Sequence, residues 1–196
     1  MINLVLFGKP GAGKGTQAEY IKKEFGLFHI STGDLFRYNI KNKTSLGLLA
    51  KKNIDNGDLV PDHVTIEMLK DSVLKNINDL GFIFDGFPRT ISQAIKLDEF
   101  LTSIKIEITA TISLNVEDTI LMDRLIKRGK LEGRADDLSI DKIRNRFNEY
   151  NTKTQPLLNF YHKQGKLLSI DGSGTIYQIR ERVNVLVNQF KWNDWR

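Results

Sequence analysis

The chain has 196 residues, 40% hydrophobic and 27% charged, which suits one soluble domain with a full core. It has no cysteine, which excludes disulfides and thiolate metal sites and fits a reducing compartment. Net charge is +5, yet the basic residues are scattered and show no aromatic-interleaved pattern, so small anions are expected as partners rather than nucleic acid or a membrane surface.

Residues 2–7, INLVLF, form an apolar run stopped by Gly8, the pattern of a strand buried on both faces. No basic leader precedes it, and no segment approaches the roughly 18 uninterrupted apolar residues of a membrane span, so a cytoplasmic chain is expected. A Gly-rich loop follows, then a helix with Ala18, Ile21 and Phe25 on one face, ending at Gly26. Residues 27–31 form a second strand, and a polar, helix-like region runs on to about residue 60. Pro61 and Asp62 open a helix bearing Ile66, Leu69, Val73 and Ile77.

Residues 81–86, GFIFDG, make the third strand, and TISQAIKLDEFL the next helix. Residues 106–114 form the fourth strand. VEDTILMDRLIKRG is a helix expected to end at Gly129. After the polar KLEGRADD loop, Ser139 caps one long helix reaching Tyr161. Residues 166–172 are the fifth strand, and TIYQIRERVNVLVNQF the last helix. Trp192 and Trp195 are expected to dock on the body of the protein. Strands alternating with helices predict a single α/β domain over 1–196, a five-stranded parallel sheet with helices on both faces. Ligands of such sheets bind at the carboxyl ends of the strands.

The loop GKPGAGKGTQ, residues 8–17, has the Gly-x-x-x-x-Gly-Lys spacing of a phosphate-binding loop between a strand and a helix. Its backbone N–H groups and the start of the next helix form an anion-binding nest, and Lys14 adds a positive charge. The hydroxyl normally found after the lysine arrives one residue late, at Thr16. Any metal must therefore lean on another group, and Asp85, ending a strand that can lie beside the first, is the candidate.

GKPGAGKGTQ, STGDLFR (31–37), DGFPRTISQA (85–94) and EGRADD (132–137) together resemble the nucleoside monophosphate kinase family, specifically its adenylate kinase branch, in which Lys-Gly-Thr is the usual loop form. The resemblance runs from Ile2 to about Asp171. It implies reversible transfer of the terminal phosphoryl group of Mg-ATP to AMP, giving two ADP, in a monomer that serves adenine nucleotide homeostasis. It also implies a small helical NMP-binding region at about 31–60 and a short lid at about 129–137, without structural zinc. Both are expected to close over the substrates and exclude water.

By the same resemblance Gly11, Ala12, Gly13, Lys14, Gly15, Thr16, Arg124, Arg128 and Gly174 bind ATP. Thr32, Arg37, Leu59, Val60, Gly86, Arg89, Gln93, Arg134 and Arg146 bind AMP. Lys14, Arg89, Arg124, Arg128, Arg134, Arg146 and Asp85 are the catalytic set, Asp85 holding Mg²⁺ through water. Arg144 stays open as the alternative to Arg146, because the segment before it carries one residue more than the family spacing. Arginines suit this chemistry because their planar forks grip phosphate bidentately. The Gln93 carboxamide offers a donor and an acceptor side by side, complementary to an adenine edge, and Thr32 accompanies it. Asp136 and Asp137 either order metal-bound water, anchor the lid, or form a solvated acidic loop whose charge suits the dipole of the helix that follows. His29, His63 and His162 receive no role.

Three rivals are weaker. A non-catalytic nucleotide- or RNA-binding module has only the net charge in its favour, and the arginines beside the phosphate-binding motifs argue against it. A GTP-hydrolysing switch lacks its guanine-reading motif, since NKTS at 42–45 has no aspartate and DGSG at 171–174 comes after the last strand. A sister kinase for UMP, CMP or GMP is the nearer alternative.

Overall fold

A computed structural model describes residues 1–191, so Trp192 and Trp195 lie outside the described residues. The sheet comprises β1 (Ile2–Phe7), β2 (Phe28–Ser31), β3 (Gly81–Asp85), β4 (Ala110–Asn115) and β5 (Leu167–Asp171), in the spatial order β2-β3-β1-β4-β5. Every pairing is parallel. Helices α1 (Lys14–Phe25), α2 (Thr32–Lys41), α3 (Ser45–Asn56), α4 (Asp62–Lys75), α5 (Ile91–Ser103), α6 (Asp118–Glu132), α7 (Ile140–Glu149) and α8 (Pro156–Lys163) lie in the connections, and α9 (Ile176–Lys191) follows β5. This is the P-loop α/β fold.

The apolar runs of β1 and β3 are explained by burial on both faces. Leu4, Leu6 and Ile83 enter one core with Ile21, Ile112 and Val183, while Val5, Phe7, Phe82 and Phe84 enter the other with Leu97 and Tyr161. Adjacent strand residues thus point into separate cores, as a period of two requires. Ile83 is fully buried. We expect Ile83→Ala to cost about 2–5 kcal/mol of unfolding free energy, measurable by urea denaturation.

Apart from single-residue shifts at strand ends, three boundaries differ from the sequence expectation, each for a tertiary reason. β4 begins at Ala110 rather than at residue 106. The Asn3 carboxamide donates to the Glu107 carbonyl at 2.8 Å and accepts from the Phe82 amide at 3.1 Å, so a side chain takes the place of ladder bonds there. Helix α6 does not stop at Gly129 but continues to Glu132 and ends on Gly133, in the left-handed region at φ 64°. Gly129 instead permits close approach: a Cβ there would lie 2.6 Å from the Asp137 carbonyl oxygen. The helix from Ser139 is interrupted at Tyr150–Thr154 by a π-helical turn, in which the Gln155 amide donates to the Tyr150 carbonyl at 2.8 Å. Pro156 follows and has no N–H to continue the normal ladder.

The register brings the strand ends to one edge. Leu6 pairs with Asp85, and Ser31 with Asp85 from the other side. The loop after β1, the start of α2 and the turn after β3 are therefore neighbours. On the far side Asn115 pairs with Asp171, which brings the loop after β5 to the same edge.

Candidate active site

The phosphate loop keeps its form through backbone geometry. Gly13 precedes α1 at φ 93°, a conformation that L side chains rarely adopt, and no side chain caps the helix. No side chain therefore competes for the first-turn N–H groups, the arrangement in which a helix start can take an anion. The Lys14 ammonium folds over the loop and donates to the carbonyls of Gly8 at 2.7 Å and Lys9 at 3.3 Å. Burial lowers its pKa to about 8, Arg89, Arg146 and Arg128 add repulsion, and Asp85 only partly compensates. Ala12 is turned into the core and 1% exposed, so only its backbone can serve a ligand.

Two cavities meet at this edge. The first is lined by Thr32, Phe36, Arg37, Leu59, Val60, Gly86 and Gln93. The second is lined by Gly11, Gly13, Gly15, Thr16, Arg124, Arg128, Arg134, Gly174 and Asp85. Lys14, Arg37, Arg89 and Arg146 line both. The structure therefore brings every nominated residue except the Ala12 side chain to one of two adjoining hollows. Arg134, nominated for the AMP side as well, lines the second cavity and not the first; its Nε donates to Glu132 at 2.6 Å. Arg144 is exposed and lines neither, whereas Arg146 is largely buried.

The cations are held by few anions. Arg89 Nε donates to the Gly86 carbonyl at 2.7 Å, and its main-chain carbonyl accepts from the Thr154 hydroxyl at 3.0 Å, so the π-helical turn braces the arginine. Burial, then the charge of Arg146, lowers the Arg89 pKa to about 10. Arg146 is also lowered by burial, against the attraction of Asp136 and Asp137. Arg146 pairs with Asp136 at 2.8 Å and with Asp137, while Arg128 Nε donates to Asp137 at 2.7 Å. Of the three readings open to these aspartates, burial overturns the solvated loop and the ion pairs match the anchor, tying the 134–138 segment to α6 and α7. The Arg128 Nη2 group remains buried without a partner.

Asp85 is the carboxylate at the centre. Burial would raise its pKa, but the His29 ring 3.6 Å away and the charges of Lys14 and Arg89 lower it, so it stays ionised. Its carboxylate lies 3.6 Å from where a Gly15 Cβ would stand, beside the loop. An anionic oxygen ligand adjoining the phosphate nest, with the Thr16 hydroxyl in the same cavity, is the donor set a hard divalent cation takes.

His29, given no role from the sequence, lies between acids. Its Nε2 is 3.6 Å from Asp85 and its Nδ1 3.2 Å from Glu19. Burial opposes its charge, but both carboxylates outweigh that and raise its pKa. The only signal in the sequence was its place in β2, two residues before Ser31, and that becomes meaningful only once β2 pairs with β3.

Arg37 donates to Asp34 at 2.6 Å, one turn apart on α2, and the Ser31 hydroxyl caps that helix by accepting from the Asp34 amide at 3.2 Å. The Thr32 hydroxyl donates to the Gly86 carbonyl at 2.9 Å. Gln93 is buried behind the first cavity, with both ends of its carboxamide bonded to protein.

The sequence model of the family described as adenylate kinase matches residues 6–166. A curated adenylate kinase of Flavobacterium psychrophilum is 57% identical over 96% of this chain and 99% of its own. Adenylate kinases of Flavobacterium johnsoniae, 55% identical over 96% of this chain and 99% of theirs, and of Parabacteroides distasonis, 45% identical over 97% and 100%, are similar along their full lengths. With two cation-lined cavities meeting at a phosphate loop and with relatives matched end to end, the chain belongs to the adenylate kinase family.

Proposed function

We propose a division of labour for this enzyme's reaction, the transfer of the terminal phosphoryl group of ATP to AMP to give two ADP. The triphosphate lies in the second cavity on the first-turn amides of α1, with Lys14 moving from the Gly8 and Lys9 carbonyls to its β- and γ-phosphates. Arg124 and Gly174 border the donor base. AMP lies in the first cavity with its phosphate on Arg37 and Arg89, its base against Thr32 and Gln93, and the Leu59–Val60 backbone along its side.

An AMP phosphate oxygen attacks the γ-phosphorus in line, and the bond to the β–γ bridging oxygen breaks. No protein atom enters covalently, so positioning and charge stabilisation supply the rate. Arg89 and Arg146, with Arg128 and Arg134 on the donor side, meet the charge that spreads over the transferring group. Asp85, through water, is the residue that would hold Mg²⁺. When bound, the ion screens the negative charge of the β- and γ-phosphates.

The observation that carries this reading is that Lys14, Arg89 and Arg146 line both cavities at once. Cations whose pKa values are depressed by burial and mutual repulsion form a site for two polyanions. The region 31–60 and the lid close over them. Asn145 of α7 already reaches this region, donating to Asp58 at 2.8 Å and to the Asn56 carbonyl at 3.0 Å. We further propose a monomer acting in the cytoplasm, its lid without zinc and its partners nucleotides rather than nucleic acid or membrane. No helix among the described residues is long and apolar enough to cross a membrane.

The test is ADP formation from Mg-ATP with AMP, UMP, CMP and GMP in turn, together with calorimetric titration of a non-hydrolysable ATP analogue into protein saturated with AMP. AMP is expected to be the best acceptor, with both ligands bound at once. Mutually exclusive binding, or a pyrimidine nucleotide as the better acceptor, overturns the assignment of the cavities. Gln93→Ala is expected to raise the KM for AMP roughly tenfold, about the worth of a base-reading contact, with the KM for ATP little changed. Equal effects on both remove Gln93 from the acceptor cavity.

A further inference from the structure

Asp62, at the first turn of α4, holds the base-reading side chain from behind. Its Oδ1 accepts from Gln93 Nε2 at 2.7 Å, and its Oδ2 accepts from the Thr90 hydroxyl at 2.9 Å. The other end of the Gln93 carboxamide, Oε1, accepts from the Arg89 main-chain N–H at 2.7 Å. Thr90 completes the ring by accepting from the Gln93 amide at 3.1 Å as the cap of α5. Gln93 is 2% exposed.

These partners dictate which end of the amide is which. A carboxylate only accepts and a main-chain N–H only donates, so turning the carboxamide over would set oxygen against oxygen and N–H against N–H. Both contacts would be lost in a buried place where unmade hydrogen bonds are costly. Each end keeps spare capacity, one N–H on Nε2 and one lone pair on Oε1.

The purines differ at this point of recognition. Adenine presents a 6-amino donor beside the N1 acceptor; a 6-oxopurine presents an acceptor beside an N1–H donor. A carboxamide free to turn over serves either edge, whereas one that is held serves only one. We infer that Asp62 is a specificity-determining positioning residue, which locks the Gln93 carboxamide so that the acceptor cavity takes a 6-aminopurine monophosphate and rejects 6-oxopurine monophosphates. This rests on the reading that Gln93 faces the acceptor base.

The test compares kcat/KM for AMP and IMP in wild type, Asp62→Asn and Asp62→Ala. IMP is the cleaner probe, because it has the 6-oxo edge without the 2-amino group of GMP. Asn is nearly isosteric and can itself turn; Ala removes the anchor, so failure of one variant to fold leaves the other. The AMP-to-IMP preference is expected to fall roughly tenfold, the size of one lost base-discriminating contact, with the KM for ATP unchanged. Asp62 acting only as a tie between α4 and α5 would lower both substrates alike and leave the ratio at the wild-type value, which overturns the inference.

The Gln93→Ala background separates the two readings. With the carboxamide gone, Asp62→Asn is expected to leave the AMP-to-IMP ratio where Gln93→Ala put it, a non-additive cycle. A further change in the ratio there also overturns the inference. If Gln93→Ala alters AMP and ATP kinetics equally, the placement of Gln93 fails first and the inference falls with it. If Gln93→Ala weakens AMP alone and Asp62→Asn spares the ratio, only the inference fails.

Discussion

Arg89→Ala is expected to lower turnover of Mg-ATP and AMP about 10³-fold, the loss found when an arginine meeting transition-state charge is removed. Arg89 lines both cavities, and its guanidinium is aimed by the Gly86 carbonyl at 2.7 Å. Its main chain is braced by Thr154 and gives its N–H to Gln93, so its placement is over-determined by its own turn and by the π-helical turn together. Stability should move far less than activity. Burial and the Arg146 charge already work against the Arg89 charge, so its removal relieves repulsion while it forfeits one hydrogen bond. Single-turnover kinetics and a thermal melt on the same preparation check this together. Turnover within tenfold of wild type refutes the role given to Arg89.

Lys14 yields the second large effect, and its pH dependence has a definite sign. In the free protein burial holds its pKa at about 8. A bound triphosphate favours the charged ammonium and raises that pKa, so binding takes up a proton above pH 8. Affinity is therefore greatest below about 8. It weakens as pH rises beyond that, by up to tenfold per unit, until the pKa of the complex is reached. The terminal phosphate, with its second pKa near 6, is fully ionised throughout that range and adds no slope. Calorimetry with a non-hydrolysable ATP analogue from pH 7 to 9.5 checks this. Lys14→Met should bind weakly at every pH, lose the slope above 8, and reduce turnover on the order of 10³-fold through lost charge stabilisation. Its melting temperature should not fall below wild type, because the ammonium is charged at a cost in the folded protein at neutral pH. A slope that persists in Lys14→Met assigns the titration to another group.

Much of the site was legible because it is written in short contiguous stretches. The spacing from Gly8 to Thr16 specifies a strand, a nest and a helix start within ten residues, and the folded loop has that form with Gly13 at positive φ. The alternation of apolar strands and amphipathic helices likewise announced the parallel sheet. Asp85 could be singled out because it ends a strand. Register then put it opposite Leu6 and Ser31.

What stayed hidden depends on how separate elements pack against one another. Gly129 reads as a helix stop, yet α6 runs through it because the Asp137 backbone packs there. Asp136 and Asp137 read as a solvated loop until α7 brings Arg146 against them. Asp62 reads as an ordinary first-turn acid, and only the approach of α4 to α5 gives it Gln93 and Thr90.

The sequence by itself determined the nucleotide-loop chemistry, the order of the elements and the stock of arginines, since backbone conformation and helical or strand period act over neighbours along the chain. Tertiary structure alone decided which arginine lines which cavity, which acid restrains it and which way the Gln93 amide is held. Those outcomes are set by hydrogen bonds and charges acting over a few ångströms, chiefly between side chains on different elements, which the period of no single element encodes.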